Sequence, residues 1–445
     1  MKANIPEVEG KRIVVIGGGF AGLTLTRKLV KTSFQTVLID KNNYHMFQPL
    51  FYQVATAGLE PSAISFPFRK VFQSKKNIHL RLTEVLSIEP NHNRVVTKIG
   101  IVNYDYLVVA TGATTNFFGN RSAEEQSFPM KSVSEALGLR NTILQNFENI
   151  LISEDPDEQE GMLNIVIVGG GATGVETSGA LAEMKRFILP KDYPEIDFNR
   201  MNIHLIEASP RLLKGMSEIA SKKAQQYLEK LGVKVWLNTA VKEYNGIWVY
   251  LSNDATIRTD TMIWAAGVKG NSVPGISQES FGPAGRLIVN EYNQVKDYPN
   301  IYAIGDISFM TTEAYPKGHP QVAQVAIQQA RNLAANLIRM NQGKQLKPFV
   351  YKDLGSMATV GRNLAVVDLP FVRFQGFFAW LAWMFIHLKS ILGIKNRVLV
   401  FVNWVWNYLT YDQSLRLIIK PKMREKKVGI KANAVKESWN NPTIV

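Results

Sequence analysis

The chain has 445 residues, 46% of them apolar and 20% charged, which predicts roughly two or three packed cores and excludes collagen-like and disordered classes. Cysteine is absent, so disulfides, thiolate metal sites, thiol nucleophiles and cysteine-ligated iron–sulfur clusters are excluded together, and any redox chemistry needs a bound cofactor. The net charge of +14 is concentrated at one end, because Phe371 to Val445 holds 12 Lys and Arg against 3 Asp and Glu.

Met1 to Gly10 is polar and acidic and lacks the basic start, apolar stretch and cleavage site of an export signal, so an unexported protein is expected. Lys11 to Ile16 is a β-branched run suited to a central parallel strand. Gly17 to Gly22 (Gly-Gly-Gly-Phe-Ala-Gly) follows at once and opens a helix expected to run to about Lys31. Thr36 to Asp40 is then a second strand ending in an acid, 18 residues beyond Gly22.

The same construction returns 152 residues later: Asn164 to Val168, the glycine turn Gly169 to Gly174 (Gly-Gly-Gly-Ala-Thr-Gly), a helix, and Met201 to Glu207. A lone glycine turn is weak evidence, since it also serves merely to join strand to helix. Two such turns, each after a strand and each followed by a strand-ending acid, point to a duplicated dinucleotide-binding unit. Gly17 and Gly169 make the tight turns, Gly19 and Gly171 admit a pyrophosphate, and Gly22 and Gly174 permit close helix packing. The helix N-termini add positive potential. Asp40 and Glu207 are placed to accept hydrogen bonds from ribose hydroxyls, and Glu207 should repel a 2′-phosphate, which favours NADH over NADPH. Arg211, four residues beyond Glu207, could offset that repulsion but reads first as an ordinary solvated arginine at a helix start.

Three more strand-like segments end in small residues: Tyr106 to Gly112, Met262 to Gly267 and Ile301 to Asp306. Ser153 to Glu160 is acidic and apolar-poor and is expected to be a surface loop. His45, His79, His92, His204, His319 and His387 form no metal-binding spacing, so no metal is expected.

The chain resembles the two-dinucleotide-binding-domain flavoproteins, and within them the type II NADH:quinone oxidoreductases, over residues 10–420. The resemblance is carried by Asp40 to His45, Phe47 to Ala55, Ala110 to Gly112, Gly169 to Glu176, Ala303 to Asp306 and above all Ala323 to Gln328 (Ala-Gln-Val-Ala-Ile-Gln). It implies an α/β fold with two Rossmann-like domains of glutathione-reductase type, the FAD domain being discontinuous, and a C-terminal membrane-associating helical region. The implied limits are 1–118 and 266–345 for the FAD domain, 119–265 for the NADH domain and 346–445 for the C-terminal region. The implied cofactors are FAD on the first glycine turn and NADH on the second.

The cofactor-binding set implied is Gly17, Gly19, Phe20, Ala21, Gly22, Asp40, Lys41, His45, Val85, Thr111, Gly112, Asp306, Gly169, Gly171, Ala172, Thr173, Gly174, Glu207 and Gly267. Asp306 binds the flavin ribityl hydroxyls in such proteins; from sequence alone it is also a plausible helix cap. Glu176 lies by the nicotinamide in the family, although a first-turn carboxylate also complements a helix dipole. Gln324 and Gln328 share one helical face and read by composition as solvated; the resemblance assigns their amides to a quinone carbonyl. Glu176, Gln324 and Gln328 are the expected catalytic residues. The implied reaction is hydride transfer from nicotinamide to flavin N5, then two-electron transfer to a membrane quinone, without proton pumping. Related enzymes that relay electrons through cysteine are excluded by composition.

Phe371 to Tyr411 holds 12 aromatics in 41 residues, a density suited to a water–lipid interface. Phe374 to Leu388 is uncharged but only 15 residues long, too short to span a bilayer. Phe374, Phe377, Phe378, Leu381, Phe385 and Leu388 recur at helical spacing, with Lys389, Lys395, Arg397 and the Lys420 to Lys427 cluster placed to meet anionic headgroups. The expectation is a peripheral homodimer on the cytoplasmic face of the cell membrane, with no nucleic acid bound. A soluble NADH:ferredoxin-type reductase and a non-enzymatic flavoprotein binding nucleic acid are the alternatives.

Overall fold

A computed structural model describes residues 3–7, 9–412 and 415–419. The first unit begins with β1 (Arg12–Ile16), buried over its last four residues, then α1 (Phe20–Leu29) and β2 (Gln35–Asp40). A short helix α2 (Phe51–Ala55) precedes β3 (Ile78–Leu82) and β4 (Tyr106–Val109). The second unit contains β5 (Phe128–Pro129), α3 (Val133–Ile150), α4 (Pro156–Leu163) and β6 (Asn164–Val168). It continues with α5 (Ala172–Phe187), β7 (Asn202–Ile206), β8 (Val233–Trp236) and β9 (Thr261–Trp264). Then come β10 (Ile301–Ala303) and α6 (Ala323–Asn341). The C-terminal part consists of β11 (Ser356–Gly361), β12 (Leu364–Asp368), β13 (Arg373–Gln375), α7 (Phe377–Ser390) and α8 (Ile394–Thr410).

Two five-stranded parallel sheets result, in orders β10-β4-β1-β2-β3 and β5-β9-β6-β7-β8. In each, the strand before the glycine turn is central, with Val15 opposite Leu38 and Ile167 opposite Leu205. Strand β10, nearly 200 residues after β4, returns to pair with it at the edge of the first sheet. Strand ends, glycine turns and acids therefore open at the same edge of each sheet, where α/β proteins bind ligands.

The duplication extends to atomic detail at the turns. Gly17 and Gly169 take φ of +98° and +112°, which L side chains rarely adopt. A Cβ on Gly22 would sit 1.8 Å from the Gly17 carbonyl oxygen, and one on Gly174 would sit 1.9 Å from that of Gly169, so the helix packs only with glycine there. Around Gly19 and Gly171 a Cβ would meet nothing within 4 Å, leaving open space beside the helix N-termini.

Two expectations need correction. The acidic stretch 153–160 is not all loop: Asp155 caps helix α4 by accepting from Asp157 N, Pro156 supplies the first position, and Asp157 and Glu158 complement the helix dipole. Local capping thus outweighs the low apolar content. The segment Phe374 to Leu388 is not one helix either, because Phe374 lies in β13 and Gly376, at φ +83°, turns the chain into α7. A second helix, α8, follows, and the two do not present one uniform aromatic face: Trp383 is 2% exposed, and Trp404 is also buried. The Lys420 to Lys427 cluster lies outside the described residues.

The largest core cluster joins the second unit to the C-terminal part, including Val175, Leu181, Ala358, Val360, Trp383 and Val400. Among the described residues no helix is long and apolar enough to cross a membrane.

Candidate active site

At the first glycine turn Asp40 does not point freely into solvent. Its two carboxylate oxygens accept from Gly18 N at 2.6 Å and Asn42 N at 2.7 Å. Burial raises its pKa, opposed by those two backbone bonds. A narrow cavity lined by Leu38, Asp40, Asn42, Arg69 and Leu82 adjoins it, and sequence reasoning missed the last two of these lining residues. Glu207 repeats the arrangement, accepting from Gly170 N at 2.5 Å and Ser209 N at 2.7 Å. Each acid therefore locks its glycine turn while remaining half-buried beside it.

His45, buried, bonds through Nδ1 to the Gly18 carbonyl at 3.1 Å and packs edge-on to Phe20. Burial lowers its pKa, so it is a neutral Nδ1 donor that fixes the turn. Lys41 is exposed, and Val85 packs partly buried against the core beneath the first sheet. Gly112 takes φ +70° with open space around it, while the Oγ1 of its neighbour Thr111 is buried without a protein partner. Ala21 and Gly22 are buried in the first helix turns; Ala172 and Thr173 are exposed at the start of α5. A Cβ on Gly267 would meet the Phe118 ring at 2.7 Å.

Asp306 lies in a single 3-10 turn, Gly305–Ile307, rather than capping a helix. The turn is braced by Gly305 N donating to Gln329 Oε1 at 2.7 Å and by Gln321 Nε2 donating to the Asp306 carbonyl at 3.0 Å. No described residue hydrogen-bonds the Asp306 carboxylate. Burial raises its pKa, countered by Lys131 and then Arg286 nearby. A half-buried carboxylate and an orphaned Thr111 hydroxyl at one strand edge form a cradle for a polar, hydroxyl-bearing ligand. Lys131, Arg286 and Gln329 of this cradle were not singled out by sequence; isolated basic and amide residues carry no periodic signal.

Glu176 faces the C-terminal part. It is 7% exposed, and its Oε1 accepts from Thr359 N of β11 at 3.4 Å and from Trp383 Nε1 of α7 at 3.3 Å. Burial raises its pKa to about 8, outweighing those two donors. Near neutral pH the group therefore holds a proton most of the time. Trp383 stacks on His387 at 4.0 Å and contacts Tyr52 and Trp404. Trp404 Nε1 donates to Gln53 Oε1 at 2.8 Å, and Gln53 Nε2 donates to the Tyr52 hydroxyl at 2.9 Å. The junction is thus built from α2, α5 and both C-terminal helices.

Strand β11 lies directly on α5 because Gly179 leaves room: a Cβ there would fall 1.6 Å from the Val360 carbonyl oxygen. Gly179→Leu is expected to cost more than about 3 kcal/mol through overpacking, read as a loss of thermal stability and C-terminal docking. A melting temperature equal to that of the parent would contradict this contact.

Gln324 and Gln328 share the predicted helical face, but their amides are engaged. Gln324 donates to the Gly355 carbonyl at 2.7 Å and accepts from Leu354 N at 3.1 Å. Gln328 donates to the Lys352 carbonyl at 2.8 Å and accepts from Lys352 N at 3.0 Å. Both clasp the segment 351–355 that leads into β11. Among the described residues no cluster of His, Asp and Glu could hold a metal ion.

Residues 11–330 match the pyridine nucleotide-disulphide oxidoreductase family, and residues 354–411 match the NDH2 C-terminal domain. A type II NADH:quinone oxidoreductase of Mycobacterium tuberculosis is 36% identical over 410 residues, covering 88% of this chain and 86% of the relative. The chain belongs to the type II NADH:quinone oxidoreductases. A Staphylococcus aureus type II NADH:quinone oxidoreductase is 30% identical, covering 79% of this chain and 88% of the relative. The fold of NDH2 from Plasmodium falciparum, solved in complex with NADH, superposes with a TM-score of 0.83 at 22% identity, covering 93% of this chain and all of that one. As a type II NADH:quinone oxidoreductase the protein oxidises NADH and reduces quinone, with FAD and NADH as the characteristic cofactors. The cradle at Thr111 and Asp306 suits the hydroxyl-rich chain of FAD. The family's disulphide chemistry has no counterpart here, since cysteine is absent.

Proposed function

We propose that this oxidoreductase works as a peripheral membrane enzyme, passing electrons from NADH to a membrane quinone on the cytoplasmic face without pumping protons. The observation that carries the reading is the junction at Glu176, where the helix that opens at the second glycine turn meets β11 and α7. When bound, FAD supplies the redox chemistry: hydride acceptance at N5 from the nicotinamide and two-electron donation to the quinone. The protein's part is positioning and proton handling. Backbone at Gly19 and Gly171 and the acids Asp40, Glu207 and Asp306 orient the two dinucleotides. Glu176 holds a proton on the C-terminal side, and Gln324 and Gln328 belong to the acceptor side, where they also fix the segment 351–355. Lys41, His45, Val85, Gly112 and Gly267 complete the proposed cofactor site.

We assign the limits 1–118 and 266–345 to the FAD domain, 119–265 to the NADH domain and 346–445 to the C-terminal region. Membrane contact is supported by exposed apolar side chains on α7 and α8, with Phe378 74%, Phe385 65%, Ile394 79% and Leu409 73% exposed. The neighbouring Lys389, Lys395 and Arg397 are exposed and suited to anionic headgroups. Homodimerisation belongs to the same reading, and light scattering tests it.

Gln324→Ala and Gln328→Ala are expected to lower quinone turnover about tenfold each while leaving flavin reduction by NADH unchanged, since both sit on the acceptor side. Stopped-flow measurement of each half-reaction separates the two. Equal slowing of flavin reduction in both variants would move these residues to the donor side.

A further inference from the structure

Quinone reduction by NADH balances as NADH + H⁺ + quinone → NAD⁺ + quinol. The hydride brings two electrons and one hydrogen, so one further proton per turnover comes from bulk water. Glu176 is buried and cannot collect it directly. Two turns along the same face of α5 stands Glu183, about 10 Å away along the axis and half-buried. Like Glu176 it accepts from a backbone N–H of the C-terminal hairpin, here that of Arg362. Burial raises its pKa to about 7, against the effect of Arg362.

Tyr52 on α2, whose ring packs against Trp383, lies within electrostatic reach of both carboxyls. Its phenol pKa is raised first by burial and then by the charge of Glu176, with Glu183 adding a smaller effect. The Tyr52 oxygen accepts from Gln53 Nε2, and no described residue accepts the Tyr52 O–H, which leaves that hydrogen free for a water or a carboxylate. The other charged group facing Glu183 is the Arg362 guanidinium, held between the rings of Tyr408 and Tyr411 at 4.0 Å each.

We propose that Glu183 is the outer station of a proton relay that runs through Tyr52, with bridging water, to Glu176 and supplies the bulk proton taken up in quinone reduction. The inference rests on the proposed role of Glu176 as the proton-holding group on the C-terminal side and adds a residue that neither the glycine fingerprints nor the Ala323 to Gln328 pattern marks. The alternative is that Glu183 only anchors the hairpin through Arg362 N.

Glu183→Gln separates the two, because the amide oxygen still accepts from Arg362 N but cannot titrate. With the FAD-loaded full-length protein, the expected result is unchanged flavin reduction by NADH. Reoxidation by a soluble quinone should slow by at least about tenfold near pH 9, but less than about twofold near pH 6, where protons from water are plentiful. Reoxidation by ferricyanide, which takes electrons without protons, should be unchanged at both pH values, and Glu183→Asp should restore most of the quinone rate. Uniform slowing at all pH values, equal slowing with ferricyanide, or no slowing at all would each overturn the relay. Should Glu183→Gln fail to retain FAD, Tyr52→Phe removes only the hydroxyl and is judged by the same pH-dependent criterion. A parent protein that reduces ferricyanide but no quinone would reject the functional reading instead, and the relay with it.

Discussion

Asp306→Ala is expected to give folded protein with little or no bound FAD. The turn that carries Asp306 should survive, since its bracing bonds come from Gln329 to the Gly305 N–H and from Gln321 to the Asp306 carbonyl, neither of which uses the lost side chain. What disappears is a half-buried carboxylate that no protein donor satisfies, together with the counter-charge for Lys131 and Arg286. A charge-assisted hydrogen bond contributes about 1.5–3 kcal/mol, which is roughly a tenfold to hundredfold loss in affinity per bond. Half-buried Lys131 and buried Arg286 also lose the nearby negative charge of the acid. The ratio of flavin to protein absorbance after purification, read beside a thermal melt, checks both halves of the expectation. A variant that keeps the full yellow colour would remove Asp306 from the flavin site.

The second large effect concerns the C-terminal helices. Phe378→Glu/Phe385→Glu/Ile394→Glu is expected to release the enzyme from anionic liposomes without loss of FAD. These three side chains are exposed, so the change is not felt in the core, whereas each would contribute about 1.5–3 kcal/mol when buried in lipid. Lys389, Lys395 and Arg397 each add about 1 kcal/mol near an anionic surface, and salt screens that part only. High salt should therefore loosen the parent protein incompletely, while the triple variant floats free at all salt concentrations. Trp383→Glu, by contrast, places a charge against Glu176 in the core and is expected to disrupt the junction itself. Liposome flotation with the flavin spectrum recorded in each fraction distinguishes these outcomes; a triple variant that still floats with the vesicles would refute the lipid-facing assignment.

The two dinucleotide units were legible because their signals are local. A β-branched run, a glycine turn and an acid some 20 residues on are consequences of strand burial and backbone approach within a single βαβ unit. The C-terminal junction was not legible for the opposite reason. Glu176 meets Thr359 and Trp383, which lie 183 and 207 residues further along the chain. Helix α7 is apolar nearly all round, so its spacing could not tell the inward Trp383 from the outward Phe378 and Phe385. Phe374 fitted the helical period by coincidence, and only Gly376 with its positive φ marks the break. Gln324 and Gln328 were rightly placed on one face, yet their partners, the backbone of 351–355, are invisible to periodicity. Glu183 shows the same limit: its spacing from Glu176 was readable, but its burial was not.

An anaerobic visible titration of the purified protein, first with NADH and then with a quinone, tests the electron path from NADH through flavin to quinone most directly. Flavin absorbance is expected to be bleached by NADH and restored in proportion to the quinone added. Flavin that NADH leaves unbleached, or that stays bleached after quinone, would contradict that path.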